Sequence, residues 1–491
     1  MNQNNGTSDT DARIRTAGQL LADGRRRRAL QELQSVLDLE LSAQQSANAA
    51  LLLMRAGDLD NALVAARRLI ELLPDNVEAM SLAANILADV GEIEEAIVLA
   101  EKTAQALPEV ADAHYNLGIY RSRAGETAAA RSAFARAVEL DPSHAFALEY
   151  LANLSAGDAG DALLPQIETC LAATPGGKPA QRAALLYAQG RLLEAKQDWA
   201  GAFAAFEAGA ALMRRVSQTD LDFAERYVSE LRQNFDAGFF AQAGAQRFPN
   251  ERPIFIVGAP RSGTTLVESV FASHSDVVAG GETRLLGLAT IDYGGFEQKD
   301  LARIRQAIDG GDNPWATMGA ELVALHERRF GVSPRLTEKN LGHHFLLGVV
   351  AMIAAGAKIV YCTRDPVATA WSCFKTRFTT GNGWSYDFDS IGRYLRLYRE
   401  LMQHWQAVLP GAPIVEIAYE DLVAEPATQI PALLEQAGLP MEAACLEPHK
   451  ARMPVMTASV TQVREPIYSD ANAAWRRYEQ QLEPYLAAIV A

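Results

Sequence analysis

Residues 253–284, PIFIVGAPRSGTTLVESVFASHSDVVAGGETR, decide how this chain is built. Ile254-Phe255-Ile256-Val257 is a short unbroken apolar run between Pro253 and Gly258, and its β-branched and aromatic side chains suit a strand buried on both faces. Gly258 and Gly263 allow a sharp turn, after which a helical pattern starts at Leu266, Val267 and Val270. Strand, glycine loop and helix N-terminus together form an anion site, because several backbone N–H groups and the positive end of the helix dipole converge on one point.

The spacing is that of a Walker A P-loop that has lost its lysine. Thr264 stands where GxxxxGK[ST] carries lysine, and Arg261 is the cation of the loop. Such a loop still holds a 5′-phosphate, with Arg261 within reach of the group attached to it. A triphosphatase without the lysine loses its main contact to the outer phosphates. With no clear strand-borne magnesium aspartate, phosphoryl transfer is the weaker expectation.

Further along, Ala357–Thr363 and Pro413–Ala418 have the pattern of buried strands separated by helical stretches, which predicts a parallel sheet covered on both faces. Sites in such sheets gather at the carboxyl ends of the strands. Thr363-Arg364-Asp365-Pro366 leaves one of those ends, and Pro366 suits the first turn of a helix that carries Ser372 two turns on. Arg364 and Ser372 therefore flank a second anion site. Two such sites on one sheet suit a bisphosphorylated nucleotide better than a triphosphate.

Pro-Arg-Ser-Gly-Thr-Thr after a strand, with Gly-Gly-Glu-Thr-Arg about twenty residues on, resembles the 5′-phosphosulfate loop of sulfotransferases that use 3′-phosphoadenosine 5′-phosphosulfate, PAPS. The Glu-Thr-Arg triplet is most similar to protein-tyrosine sulfotransferases. The resemblance covers the chain from about 250 to the end. It implies PAPS as co-substrate and no metal, with Arg261, Ser262, Gly263, Thr264 and Thr265 around the 5′ end and Arg364 with Ser372 on the 3′-phosphate. It makes Glu282 the base, Lys339 the cation for the bridging oxygen, and Arg261 a partner for the sulfuryl charge. Ser459, Gln462 and Arg464 fall in a late loop that folds over the nucleotide, Ser459 reaching the phosphosulfate, and Tyr419 packs beside the nucleotide. The family's lysine before a late tryptophan has no counterpart, since Ala474 precedes Trp475; Arg476 or Arg477 is its substitute.

Taken singly, each residue has a plainer role. Glu282 would pair with Arg284 at the surface, Lys339 would be a solvated lysine beside Glu338, and Arg364-Asp365 would be a structural ion pair. His343 and His344 have no carboxylate or cysteine at ligand spacing and are expected to be ordinary helix or loop residues.

Before the loop, residues 11–215 carry an internal repeat. Gly57, Gly91 and Gly125 lie 34 residues apart, as do Ala62, Ala96 and Ala130, and Pro74, Pro108 and Pro142. That period indicates tetratricopeptide helix–turn–helix units, with glycine at the turn, alanine where the helices cross and proline after the second helix. Phe134 and Ala137 complete the third copy, an offset copy lies at Gly24 and Ala29, and a diverged one runs through Gly190, Ala202, Phe206 and Gly209. Stacked copies make an α-solenoid that binds a protein or peptide, buttresses the other half or dimerises. Arg25–Arg28 is expected as a solvated helix face. Residues from Thr219 to about Gln246 are expected to form one amphipathic connecting helix.

The expected organisation is thus a flexible start (1–10), an all-α solenoid (11–215), a connecting helix and linker (216–249) and an α/β P-loop-like domain with a parallel sheet (250–491). A net charge of −15 argues against nucleic acid or anionic membrane as partners. Four scattered cysteines suggest neither a zinc site nor a disulfide framework, and the polar N-terminus lacks a signal-peptide core, so a cytoplasmic protein without a membrane span is expected. Glu-Thr-Arg and the solenoid favour a protein or peptide tyrosine as acceptor, while a small-molecule or glycan hydroxyl is also compatible. The expectation of another class is a nucleotide-binding scaffold without turnover, against which Glu282, Lys339 and Ser459 occur together.

Overall fold

The computed structural model describes residues 3–154, 158–173, 178–378, 381–411, 413–451, 464, 466–467 and 473–490. The chain forms two compact units: Met1–Asp141 with Arg284–Gly294, and Pro142–Thr283 with Gly295–Ala491.

The first unit is helical. Its helices α1 (Gln3–Ala22), α2 (Arg26–Leu37), α3 (Ala43–Ala56), α4 (Leu59–Leu72), α5 (Val77–Val90), α6 (Ile93–Ala106), α7 (Ala111–Ala124) and α8 (Thr127–Leu140) pair in sequence. Gly57, Gly91 and Gly125 close the first helix of three pairs at φ of 76°, 90° and 85°, a left-handed conformation that glycine adopts without a Cβ penalty. Ala62, Ala96 and Ala130 are fully buried at the helix crossings, as the period requires. The segment Arg284–Gly294 belongs here too, with Leu285, Leu286 and Leu288 buried. The arginine run is more than a solvated face. Arg27 pairs with Asp292 at 3.1 Å, and Arg26 donates to the Ala56 carbonyl.

The second unit begins with α9 (Ala145–Leu154), α10 (Asp158–Ala173), α11 (Pro179–Ala195) and α12 (Trp199–Val216). The expected single connecting helix is two, α13 (Leu221–Asn234) and α14 (Ala237–Ala243), because Asp236 caps the second by accepting the Phe239 N–H at 2.7 Å and Phe235 leaves helical geometry. Then come β1 (Pro253–Gly258), α15 (Thr264–Ala272) and β2 (Val277–Ala279), followed by α16 (Leu285–Thr290) of the first unit. The rest runs α17 (Gln298–Asp309), α18 (Pro314–Phe330), β3 (Arg335–Glu338), α19 (Leu347–Ile353), β4 (Lys358–Thr363), α20 (Pro366–Phe374), α21 (Phe388–Val408), β5 (Ile414–Ala418), α22 (Tyr419–Ala424) and α23 (Pro426–Ala437).

The strands form one parallel sheet in the order β2-β3-β1-β4-β5, with Ile254 opposite Thr337 on one side and Lys358 on the other. β1 is central and buried along its whole length, which is why its sequence is unbroken apolar rather than alternating. Because every strand points the same way, all five carboxyl ends lie along one edge. Ile254, Ile256, Val267, Phe271, Val360 and Ile417 form one core cluster. A second, aromatic cluster joins α11 and α12 to α20: Phe203 stacks on Trp371 at 5.8 Å, and the Tyr187 hydroxyl donates to the Phe374 carbonyl at 3.1 Å. No helix among the described residues is long and apolar enough to cross a membrane.

Candidate active site

The loop after β1 is shaped for an anion. A Cβ on Gly258 would lie 2.4 Å from Ser262 Oγ and 2.8 Å from the Cys362 carbonyl, so only glycine fits. Arg261 and Gly263 both have positive φ, 69° and 98°. For arginine this backbone costs on the order of 1 kcal/mol or more, a strain typical of functional loops. Gly263 caps α15 without a side-chain hydrogen bond, so the positive end of that helix faces the glycine loop. The Ser262 hydroxyl is buried and has no hydrogen-bond partner among the described residues. An unpaired buried hydroxyl at the start of a helix fits a phosphate or sulfate oxygen, and so fits the 5′ end of PAPS.

Other groups close around this loop. Arg261 Nε donates to Ser372 Oγ at 2.9 Å, and Arg364 Nη1 donates to the Arg261 carbonyl at 2.9 Å. The two anion sites found by spacing are therefore in direct contact. Burial pushes the Arg261 guanidinium down to about 10, which still leaves it cationic at neutral pH. Asp365 does not form the plain ion pair with Arg364; it caps α20 by accepting the Ala368 N–H at 2.7 Å. The Tyr419 ring, just past the end of β5, lies 4.7 Å beneath the Arg364 guanidinium and would meet a Cβ on Gly263 at 2.5 Å. Thr264 and Thr265 are buried in the first turn of α15.

A second group follows the ends of β2 and β3. Lys339 is 2% exposed, and its Nζ is 3.1 Å from Glu282 Oε1 and 3.5 Å from Glu268 Oε2. Burial by itself would lower this ammonium, but the two carboxylates outweigh it and hold Lys339 above the ordinary lysine value. Glu282, a third exposed, is the open partner. The plain alternatives fail here, since Lys339 is not solvated and Glu282 pairs with it. Glu338 turns the other way, to His326 Nε2, with His343 Nε2 3.6 Å from its second oxygen. His343 thus does have a carboxylate neighbour, brought to it by the turn that follows β3. Burial pushes His344 down to about 3, and its ring stacks on Tyr398 at 4.1 Å.

Ser459 and Gln462 lie outside the described residues. Arg464 donates to the Ala451 carbonyl at 3.0 Å. Arg476 and Arg477 cover the rings of Trp475 and Trp199, each at 5.3 Å. Two groups escaped sequence reasoning. One is Glu268, a lone acid in the apolar run of α15, where a carboxylate at a core position signals a buried partner. The other is Lys375, one turn past Ser372, which pairs with Glu194 of α11 at 2.8 Å. Among the described residues no His, Cys, Asp or Glu cluster is arranged to hold a metal.

Residues 253–443 match the profile of the sulfotransferase family. A protein of Aquifex aeolicus described as uncharacterized is 29% identical over 74% of this chain and 48% of its own length. A Drosophila melanogaster protein-tyrosine sulfotransferase is 26% identical over 45% of this chain and 46% of its own length. The chain thus spans about half the length of these curated relatives. Among solved structures, the sulfotransferase domain of the Synechococcus PCC 7002 olefin synthase is 18% identical, covers 46% of this chain and 88% of that domain, and has a TM-score of 0.35. The likeness to the sulfotransferase family thus lies in the C-terminal region of the chain, where residues 253–443 match that family's profile.

Proposed function

We propose that this chain transfers a sulfuryl group from PAPS to a hydroxyl acceptor, and that the acceptor is a tyrosine in a protein or peptide. The observation that carries this reading is the buried Lys339 paired with the open Glu282, on the same sheet edge as a P-loop that lacks the Walker lysine and carries Arg261 as its cation. PAPS brings an activated sulfuryl group with adenosine 3′,5′-bisphosphate as its leaving group. The N–H groups at the start of α15 and the Ser262 hydroxyl would hold its 5′ end, Arg364 and Ser372 its 3′-phosphate, and Tyr419 one flank of the nucleotide.

Glu282 takes the acceptor's hydroxyl proton on a carboxylate oxygen, which is an acceptor only while ionised. Lys339 and Arg261 are cationic at neutral pH and offset the charge that develops on the bridging and sulfuryl oxygens. Ser459 has the remaining role at the phosphosulfate. The tyrosine acceptor is supported by Glu-Thr-Arg at 282–284 and by the likeness to protein-tyrosine sulfotransferases. The helix-pair array suits a protein or peptide carrier.

Calorimetric titration tests the donor. Adenosine 3′,5′-bisphosphate should bind and ATP with magnesium should not. Labelled PAPS offered with tyrosine peptides and with small phenols then tests the acceptor. Preference for ATP, or transfer to phenols alone, overturns the corresponding half of the proposal.

A further inference from the structure

We propose that Glu268 is a positioning residue that holds the base and the cation of the transfer site in one register. The proposal rests on the roles given above to Glu282 and Lys339. Glu268 is 1% exposed and sits on the second turn of α15, the helix whose first turn faces the glycine loop. Its Oε1 accepts the Gly281 N–H at 3.0 Å and the Thr337 hydroxyl at 3.3 Å, while Oε2 stands 3.5 Å from Lys339 Nζ. Gly281 immediately precedes Glu282, and its carbonyl accepts the Lys339 N–H at 2.9 Å. One carboxylate thus ties the turn that presents the base to the strand end that presents the cation.

The charge matters as much as the geometry. Lys339 faces Glu268 from α15, Glu282 from the turn after β2 and Cys362 from β4, while neighbouring Glu338 is engaged by His326 and His343. Glu282 is the exposed partner, and it has to release Lys339 when it accepts a proton from the acceptor. Glu268 then remains as the counter-charge that keeps a buried ammonium protonated. The same short helix therefore offers its N-terminus to the donor and its second turn to the base and cation.

The test uses the full chain, whose eight lysines carry a ¹³Cε label, with Lys339 identified by loss of its signal in Lys339→Arg. In Glu268→Gln the amide oxygen still accepts from Gly281 and Thr337 but the charge is gone. Lys339 should then titrate about one unit lower than in the unsubstituted protein. The alkaline limb of kcat should move with it, and kcat should fall about tenfold or more. The dissociation constant of adenosine 3′,5′-bisphosphate should stay within about twofold. Glu268→Asp, which keeps the charge, should restore part of the Lys339 titration and of kcat. An unchanged Lys339 titration in Glu268→Gln overturns the proposal, whatever the nucleotide does. A shifted titration in a protein that binds no bisphosphate upholds the tether and overturns the sulfuryl-transfer reading instead.

Discussion

Two helix pairs in this chain are built alike and used differently. In α7–α8 a Cβ on Gly118 would lie 2.6 Å from the Phe134 ring, and in α11–α12 a Cβ on Gly190 would lie 2.6 Å from Phe206. Tyr115 and Tyr187, each three residues before the glycine, meet those phenylalanines at 5.9 and 5.8 Å. Outside the pair the likeness ends. The α7 surface makes part-exposed ion pairs to neighbouring repeats, Arg121 with Glu101 and Arg123 with Asp89. The α11–α12 surface joins an aromatic core with Trp371, next to Ser372, and its Glu194 holds Lys375. A repeat motif fixes how two helices touch, and the residues on its outer face decide what the pair serves.

The sharpest way to break this comparison is to hollow both pairs. Phe134→Ala and Phe206→Ala should each cost about 3–5 kcal/mol of unit stability. Only Phe206→Ala should also weaken bisphosphate binding, by calorimetry, because its ring meets Trp371 edge-on at 5.9 Å. All six tryptophans lie in the second unit, so tryptophan fluorescence follows its unfolding, while far-ultraviolet circular dichroism follows helix loss in both units. Equal effects of the two variants on nucleotide affinity would erase the distinction.

Charged pairs should separate the two regions next. Arg377 grips Glu149 of α9 with both side chains about nine-tenths buried, whereas Arg67 and Glu95 meet at the surface of the first unit. Glu149→Gln strands a buried guanidinium and should cost roughly 3 kcal/mol or more in urea unfolding. Glu95→Gln should cost less than about 1 kcal/mol.

Lys375 adds a pH signature confined to the second unit. Burial, with Arg191 nearby, pushes its ammonium down from 10.5 to about 8. Between those values the unfolded chain keeps a proton that the folded chain has released, so this site adds stability as pH rises from about 8 to 10.5. The gain should reach about 3 kcal/mol, and Lys375→Met should flatten it in fluorescence-monitored unfolding at stepped pH. Gly118→Ala and Gly190→Ala should have like effects on the two pairs. Each forces a methyl against a phenylalanine ring at a cost of about 1–3 kcal/mol, followed by circular dichroism for Gly118→Ala and by tryptophan fluorescence for Gly190→Ala.

A parallel sheet with strands β1, β4 and β5, the glycine loop and the repeat period were legible in sequence, while β2 and β3 were not. Each legible feature rests on local pattern: an unbroken apolar run, glycines at fixed intervals, proline at a helix start. The meeting of Arg261 with Ser372 was foreshadowed only as two separate anion sites. Lys339 and Glu282 were marked by family likeness, but their shared partner was not, because Glu268 reaches them through the packing of α15 on β3. Lys375 beside Glu194 escaped because 181 positions of chain separate them, and His343 beside Glu338 because the turn after β3 joins them. Such partners are set by which elements pack together, and a linear pattern does not carry that.

The excursion Arg284–Gly294 bears on the order in which the protein is made. The first unit lacks its last eleven residues, including buried Leu285, Leu286 and Leu288, until synthesis has run roughly 150 residues past Asp141. At ordinary elongation rates that interval is on the order of ten seconds, long enough for the helices before Asp141 to form and wait. Completion of the helical array is thereby tied to the emergence of the loop and of Glu282. A ribosome-bound chain that stops short of residue 294 would hold the first helices without Asp292, the partner of Arg27, or the full Arg284–Gly294 segment.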